Sequence, residues 1–341
     1  MDLNAERLDE ALARLAPTGP EFRGGLSNHG PMVAEALVRL DAADAVPGWV
    51  DGYLPLLEDA PGGGERIGDW RAALGDMRRV ADWERYFRER LAEAPWRDVL
   101  AEWWPRLTPG LAAGATHGVI RTAHAVRALA ERESGPRRGE LARALAYWAA
   151  GYAELPGRPL TEGVRTVEQA VAVLPILELA PVTLIVPHLR KLAGLPGFAE
   201  TVSSVRPPRD VPRDLDELTR VFARVFVTHG RHAPIDFIHA VTAPTAVASV
   251  LGELPETLHR PVYDALWQVA AALYSGYAHG ATIEPVPDGD PLDPAELSGR
   301  AAETGDAHAI KMTEACLRQY ARLGDPLFLH ASARAVELLP G

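Results

Sequence analysis

Cysteine is almost absent from this chain: Cys316 is the only one in 341 residues. One thiol closes no internal disulfide and builds no cysteine-rich zinc site, so a reducing cytoplasm is the expected compartment. An excess of positive charge is absent too. Lys and Arg number 35 against 46 Asp and Glu, a formal charge of −11. Phosphate contacts need clustered cations, and no basic stripe with interleaved aromatics is present, so no nucleic-acid partner is expected. Met1 to Leu15 alternates acidic, basic and apolar residues and lacks the apolar segment of a signal peptide. The longest apolar run, Ala170 to Pro187, carries Glu178 and is interrupted by Pro175, Pro181 and Pro187. Prolines at that interval break a lipid-facing helix. The run reads as short buried helical pieces, with no membrane span. Dinucleotide, P-loop, nucleophile-elbow and HExxH motifs are all missing, so no built-in flavin or nicotinamide site is expected. Gly62–Gly63–Gly64 reads as a flexible loop, not a phosphate cradle. No repeat period is visible.

What the chain does have is helical patterning. Hydrophobic residues make up 47%, enough for one large domain or two of ordinary size. Apolar residues recur at helical spacing over Asp2 to Ala16, Pro31 to Leu40, Trp70 to Leu91, Trp96 to Leu107, Leu111 to Arg132 and Arg138 to Leu155. The pattern resumes over Asp214 to Val227, Ala233 to Leu251, His259 to His279, Ala295 to Leu323 and Pro326 to Leu338. Period-two alternation is scarce. The expected fold is all-α, a single large irregular helical bundle over residues 1–341. Ser203 to Asp214 and Glu284 to Pro294 read as loops.

The chemistry-bearing residues are histidines, eleven of them. His29, His117, His124, His239 and His308 are flanked by small or apolar residues, a pattern of buried helix faces where an imidazole needs a partner. Residues three apart on a helix lie about 60° apart, so His308 and Lys311 can address one point. Residues seven apart lie about 10.5 Å apart along the axis, which separates His117 from His124. If His117 binds an ion, His124 suits the surroundings of the site. The plain alternative is a set of hydrogen-bonded core histidines, with Lys311 paired to Glu314 one turn on. His188, His259 and His330 read as surface or helix-end residues, His229 and His232 as caps or pocket residues. Trp96, Trp103 and Trp104 read as core, Trp104 also as a pocket candidate.

Four segments carry a resemblance. Asn28-His29-Gly30-Pro31-Met32, His117-Gly118-Val119-Ile120-Arg121 with Ala123-His124-Ala125-Val126, Phe237-Ile238-His239-Ala240-Val241-Thr242 and His308-Ala309-Ile310-Lys311 resemble, in that order, the questin oxidase-like family. The resemblance runs from about residue 20 to 335, and the chain looks like a compact bacterial-type member. It implies an all-helical fold and oxidation of an aromatic polyketide, an anthraquinone or related polycyclic phenol, by ring cleavage or Baeyer–Villiger-type oxygen insertion. It also implies one non-haem iron, Fe(II/III), using O2, with NADPH as a candidate co-substrate. The ligand roles it implies fall on His29, His117, His239 and His308, and on Lys311 as N6-carboxylysine. His124 competes with His308 for the fourth histidine position. Where the fungal members of that family have a second histidine four residues after the position of His117, this chain has Arg121.

That chemistry is coherent. A lysine ammonium has no lone pair to give. A buried, neutral lysine can add CO2, and the carbamate offers carboxylate-like oxygens. Imidazoles with one such oxygen suit Fe(II) and O2 chemistry. Asn28, Arg121, His124, Asp236 and Trp104 are then expected in the surrounding shell or pocket, with Asp306 and Glu314 as further candidates to orient imidazoles. No catalytic residue beyond the ligands is expected. The implied partner is a small aromatic substrate, and a homodimer is the candidate assembly. Two readings from other classes compete: a non-catalytic helical binding or scaffold protein with structural histidines, and a metal-dependent hydrolase with a carboxylated lysine.

Overall fold

A computed structural model describes residues 3–179 and 184–340. The all-α expectation holds. Among the described residues the regular sheet is one short hairpin, β1 (Glu21–Phe22) antiparallel to β2 (Leu26–Ser27), with Glu21 opposite Ser27. None of the described helices is long and apolar enough to cross a membrane.

The helices gather into two compact units. The first comprises residues 1–153 with 252–254, the second 154–251 with 255–341. Unit 1 contains α1 (Leu3–Leu15), α2 (Gly30–Arg39), α3 (Val46–Tyr53), α4 (Trp70–Ala73), α5 (Val80–Glu93), α6 (Trp96–Leu107), α7 (His117–Glu131) and α8 (Gly135–Ala150). Its centre is aromatic. Trp83, Phe87 and Trp103 interlock with ring centroids 4.9–5.6 Å apart, and Trp104 meets Trp148 edge-on at 5.1 Å. Trp96, Trp103 and Trp104 are all buried, as their helical spacing predicts.

Unit 2 contains α9 (Val167–Val171), α10 (Ile185–Leu189), α11 (Phe198–Ser203), α12 (Val211–His229), α13 (Pro234–Ala248), α14 (His259–Tyr277), α15 (Pro294–Thr304), α16 (Ala307–Leu323) and α17 (Leu327–Leu338). Here α13 packs against α12, α14 and α16, and its residues 237–247 are all buried.

Three predicted helices are broken, each by a backbone device that apolar periodicity hides. The segment over 70–91 divides into α4, a 3-10 turn at Met77–Arg79 capped by Asp76, and α5. The segment over 111–132 begins its helix only at His117, because Gly114, Ala115 and Thr116 take positive φ. The segment over 295–323 is cut at Gly305, whose φ of 66° ends α15. Asp306 then starts α16 by accepting from the amides of His308 and Ala309 at 2.8 and 2.9 Å, satisfying donors that a helix start leaves open.

Three smaller expectations change as well. In the apolar run, α9 and α10 are the helical pieces, and Val173 and Leu179 are half exposed; Pro181 lies outside the described residues. The glycine loop is pinned, since the buried Asp82 carboxylate accepts from the amides of Gly64 and Glu65 at 2.8 and 3.1 Å. His188 is not a surface residue: it is fully buried and its Nε2 donates to the Gly276 carbonyl at 2.8 Å.

Candidate functional site

In unit 1, α2 and α7 each begin at a candidate histidine. His29 is the N-cap residue of α2, held there by Asn28, whose side chain binds Thr18 Oγ1, the Gly19 carbonyl and the Gly30 amide. Asn28 thus shapes the turn. The left-handed residues before α7 put His117 at its first position. Gly114 is required there, because a Cβ would collide with the Tyr147 hydroxyl and its φ of 54° strains any L side chain. The His29 and His117 rings stack with centroids 4.6 Å apart and planes 17° apart, and each offers a ring nitrogen within 4.8 Å of the other's. His117 Nδ1 lies 2.6 Å from the Gly114 carbonyl oxygen. A carbonyl only accepts, so Nδ1 carries the hydrogen and Nε2 keeps the lone pair.

One turn and more along, the same two helices pair again. His124 Nδ1 donates to Glu35 Oε2 at 2.8 Å, and Arg39 and Arg127 also bind Glu35. Burial raises the Glu35 carboxyl, but Arg127 and His124 together hold it well below the usual carboxylate range. Arg121 makes a two-pronged buried pair with Glu140, which Arg143 also binds. Trp104 is core, edge-on to Trp148. Glu35 is the partner that sequence reading missed. Its signal was a lone acid inside Val33-Ala34-Glu35-Ala36-Leu37, a charge in an apolar face that must find a counter-charge.

Unit 2 brings together the other three. His239 on α13 and His308 in the first turn of α16 meet edge-on at 5.7 Å between ring centroids, and Lys311 follows one turn after His308, 2% exposed. Burial, then the charge of Lys311, pushes His239 down to about 3. Burial, Lys311 and His239 push His308 well below its usual value. Burial pushes Lys311 down to about 7, opposed only by Asp306. The two imidazoles are therefore neutral near pH 7, and the amine loses its proton far more readily than an ordinary lysine. No family model matches this sequence, and no curated protein matches it.

The alternative pairing of Lys311 with Glu314 is not seen among the described residues. Glu314 is taken by Arg318, at 3.0 and 3.2 Å, and Arg318 is further fixed to the Thr245 carbonyl. Asp306 serves the helix start, with its carboxylate 4.0 Å from His308 Nδ1. Asp236, one turn before His239, is raised to about 6 by burial, with the Tyr277 hydroxyl opposing.

Proposed function

We propose that this chain is a questin oxidase-like, non-haem iron oxygenase acting in the cytoplasm on an anthraquinone or related polycyclic phenol of polyketide type. The observation that carries the reading is the company of Lys311: a buried amine beside two neutral imidazoles, with no ion pair to a carboxylate among the described residues. That donor set fits a cation better than it fits a packed core, because an unpaired buried ammonium is costly.

Iron would be held by residues drawn from His29, His117, His239, His308 and Lys311. When bound, iron supplies the redox chemistry that lets O2 react with a phenol or quinone ring. The protein's share is preparation. The Gly114 carbonyl keeps Nε2 of His117 as the donor atom. The Asp306 cap fixes the turn that presents His308. The neutral Lys311 amine adds to CO2, forming an N–C bond and releasing one proton, which yields the carbamate oxygens. NADPH stands as a candidate co-substrate.

The test is metal analysis of full-length protein purified without a histidine tag, beside His117→Ala, His239→Ala and Lys311→Ala. One equivalent of iron in the parent, lost in each variant, is the expected result. Iron absent from the parent, or retained in all three, sinks the reading. Two zinc ions with O2-independent turnover would move the assignment to a hydrolase.

A further inference from the structure

Tyr53 is the residue beside the first histidine pair that the proposal leaves unused. Its hydroxyl accepts the backbone N–H of His29 at 3.0 Å. A phenol also has one proton to donate, and no described residue accepts it; the other group acting on Tyr53 is the Arg121 guanidinium, a donor only. The hydroxyl is thus oriented by its acceptor side and left with an uncommitted donor next to His29. The Tyr53 ring is one half of a shelf. Trp49, one turn earlier on α3, stacks on it with centroids 4.5 Å apart and planes 26° apart, and Phe22 braces it edge-on at 6.1 Å. Trp49 and Tyr53 are both partly exposed. A flat aromatic face with a spare donor at its edge matches a flat ligand with an oxygen at its rim.

We propose that Trp49 and Tyr53 form the docking shelf for a planar, oxygen-bearing aromatic ring, with the Tyr53 hydroxyl donating to a ring carbonyl or phenolate oxygen. The ring class rests on the oxygenase reading; the shelf and its donor rest on unit 1 alone. The role is one of binding and orientation, since the donor is fixed by its bond to the backbone of His29.

The experiment compares two soluble probes that differ only in their carbonyls, anthraquinone-2-sulfonate and anthracene-2-sulfonate, by calorimetric titration of the as-purified full chain. Tyr53→Phe is expected to weaken the quinone about tenfold, a loss of about 1.4 kcal/mol, and to leave the hydrocarbon within about twofold. Trp49→Ala is expected to weaken both probes about tenfold, and Trp49→Phe, which keeps a ring in the stack, less than that. The proposal is overturned if the parent binds neither probe, if Tyr53→Phe changes both or neither, or if Trp49→Ala changes neither. Iron content measured on the same samples separates the two readings. Probe binding without iron removes the oxygenase and keeps the shelf; iron without probe binding does the reverse.

Discussion

The two histidine clusters sit in opposite electrostatic surroundings. Around the pair in unit 1, every buried charge has a partner: Glu35 with Arg39, Arg127 and His124, Glu140 with Arg121 and Arg143. Around the cluster in unit 2, the buried lysine has no ion pair among the described residues and the imidazoles are driven neutral. A paired network costs desolvation and recovers it in hydrogen bonds. An unpaired amine recovers nothing until something else supplies an acceptor. The first arrangement is what a fold keeps for rigidity. The second is the arrangement that the proposed metal site would use.

That contrast can be broken by removing one charge from each side. Glu35→Gln leaves Arg127, Arg39 and His124 around a neutral amide, and should cost about 3 kcal/mol of stability. A urea titration at pH 7 checks it, and a loss below roughly 1 kcal/mol would mean the network is decoration. Lys311→Met should do the reverse in metal-free protein, raising stability by about 1–3 kcal/mol, because it replaces a poorly solvated amine with an apolar chain of similar length.

The pH dependence of that second effect follows from the sign of the shift. Lys311 is lowered from 10.5 to about 7 on folding. Between those values the unfolded chain binds more protons, so stability rises with pH across the window and is flat with respect to this group below it. The gain from Lys311→Met is then full at pH 6 and fades by pH 10. His239, lowered from 6.5 to about 3, also makes the unfolded chain the better proton binder, so its contribution is lost as pH falls below 6.5. Thermal melts of metal-free parent and variant between pH 4 and pH 10 check both. The parent should lose stability at each end of that descent, the variant only below 6.5.

The sequence made the helices legible because apolar spacing reports which face is buried, whatever the partner. It also put His308 and Lys311 on one face, since that is a matter of local geometry. It could not show that Glu35 answers His124, because the two lie 89 residues apart and only packing of α2 on α7 joins them. The late start of α7 was hidden for another reason: Ala115 and Thr116 are not residues that announce positive φ. The break before α16 was different. Gly305–Asp306 is a stop followed by a cap, a pattern with a physical meaning, but an uninterrupted apolar stripe on both sides masked it. His188 read as a surface or helix-end residue; it does lie in the last turn of α10, and the packing of α10 on α14 buries it.

The smallest expected effect tests whether that break serves the site. Asp306→Ala removes the acceptor for the His308 and Ala309 amides and should cost about 1 kcal/mol. If the cap only ends a helix, the loss stops there and Asp306→Asn restores it. If it also fixes the turn that presents His308 beside Lys311, Asp306→Ala should weaken iron retention against a chelator several-fold more than an Asp210→Ala change at the start of α12. That comparison matters because Asp210 is likewise an N-cap carboxylate, bound to the Arg213 amide at 3.1 Å, with no candidate ligand in its first turn. Equal retention in the two variants would make the Asp306 turn an ordinary helix start.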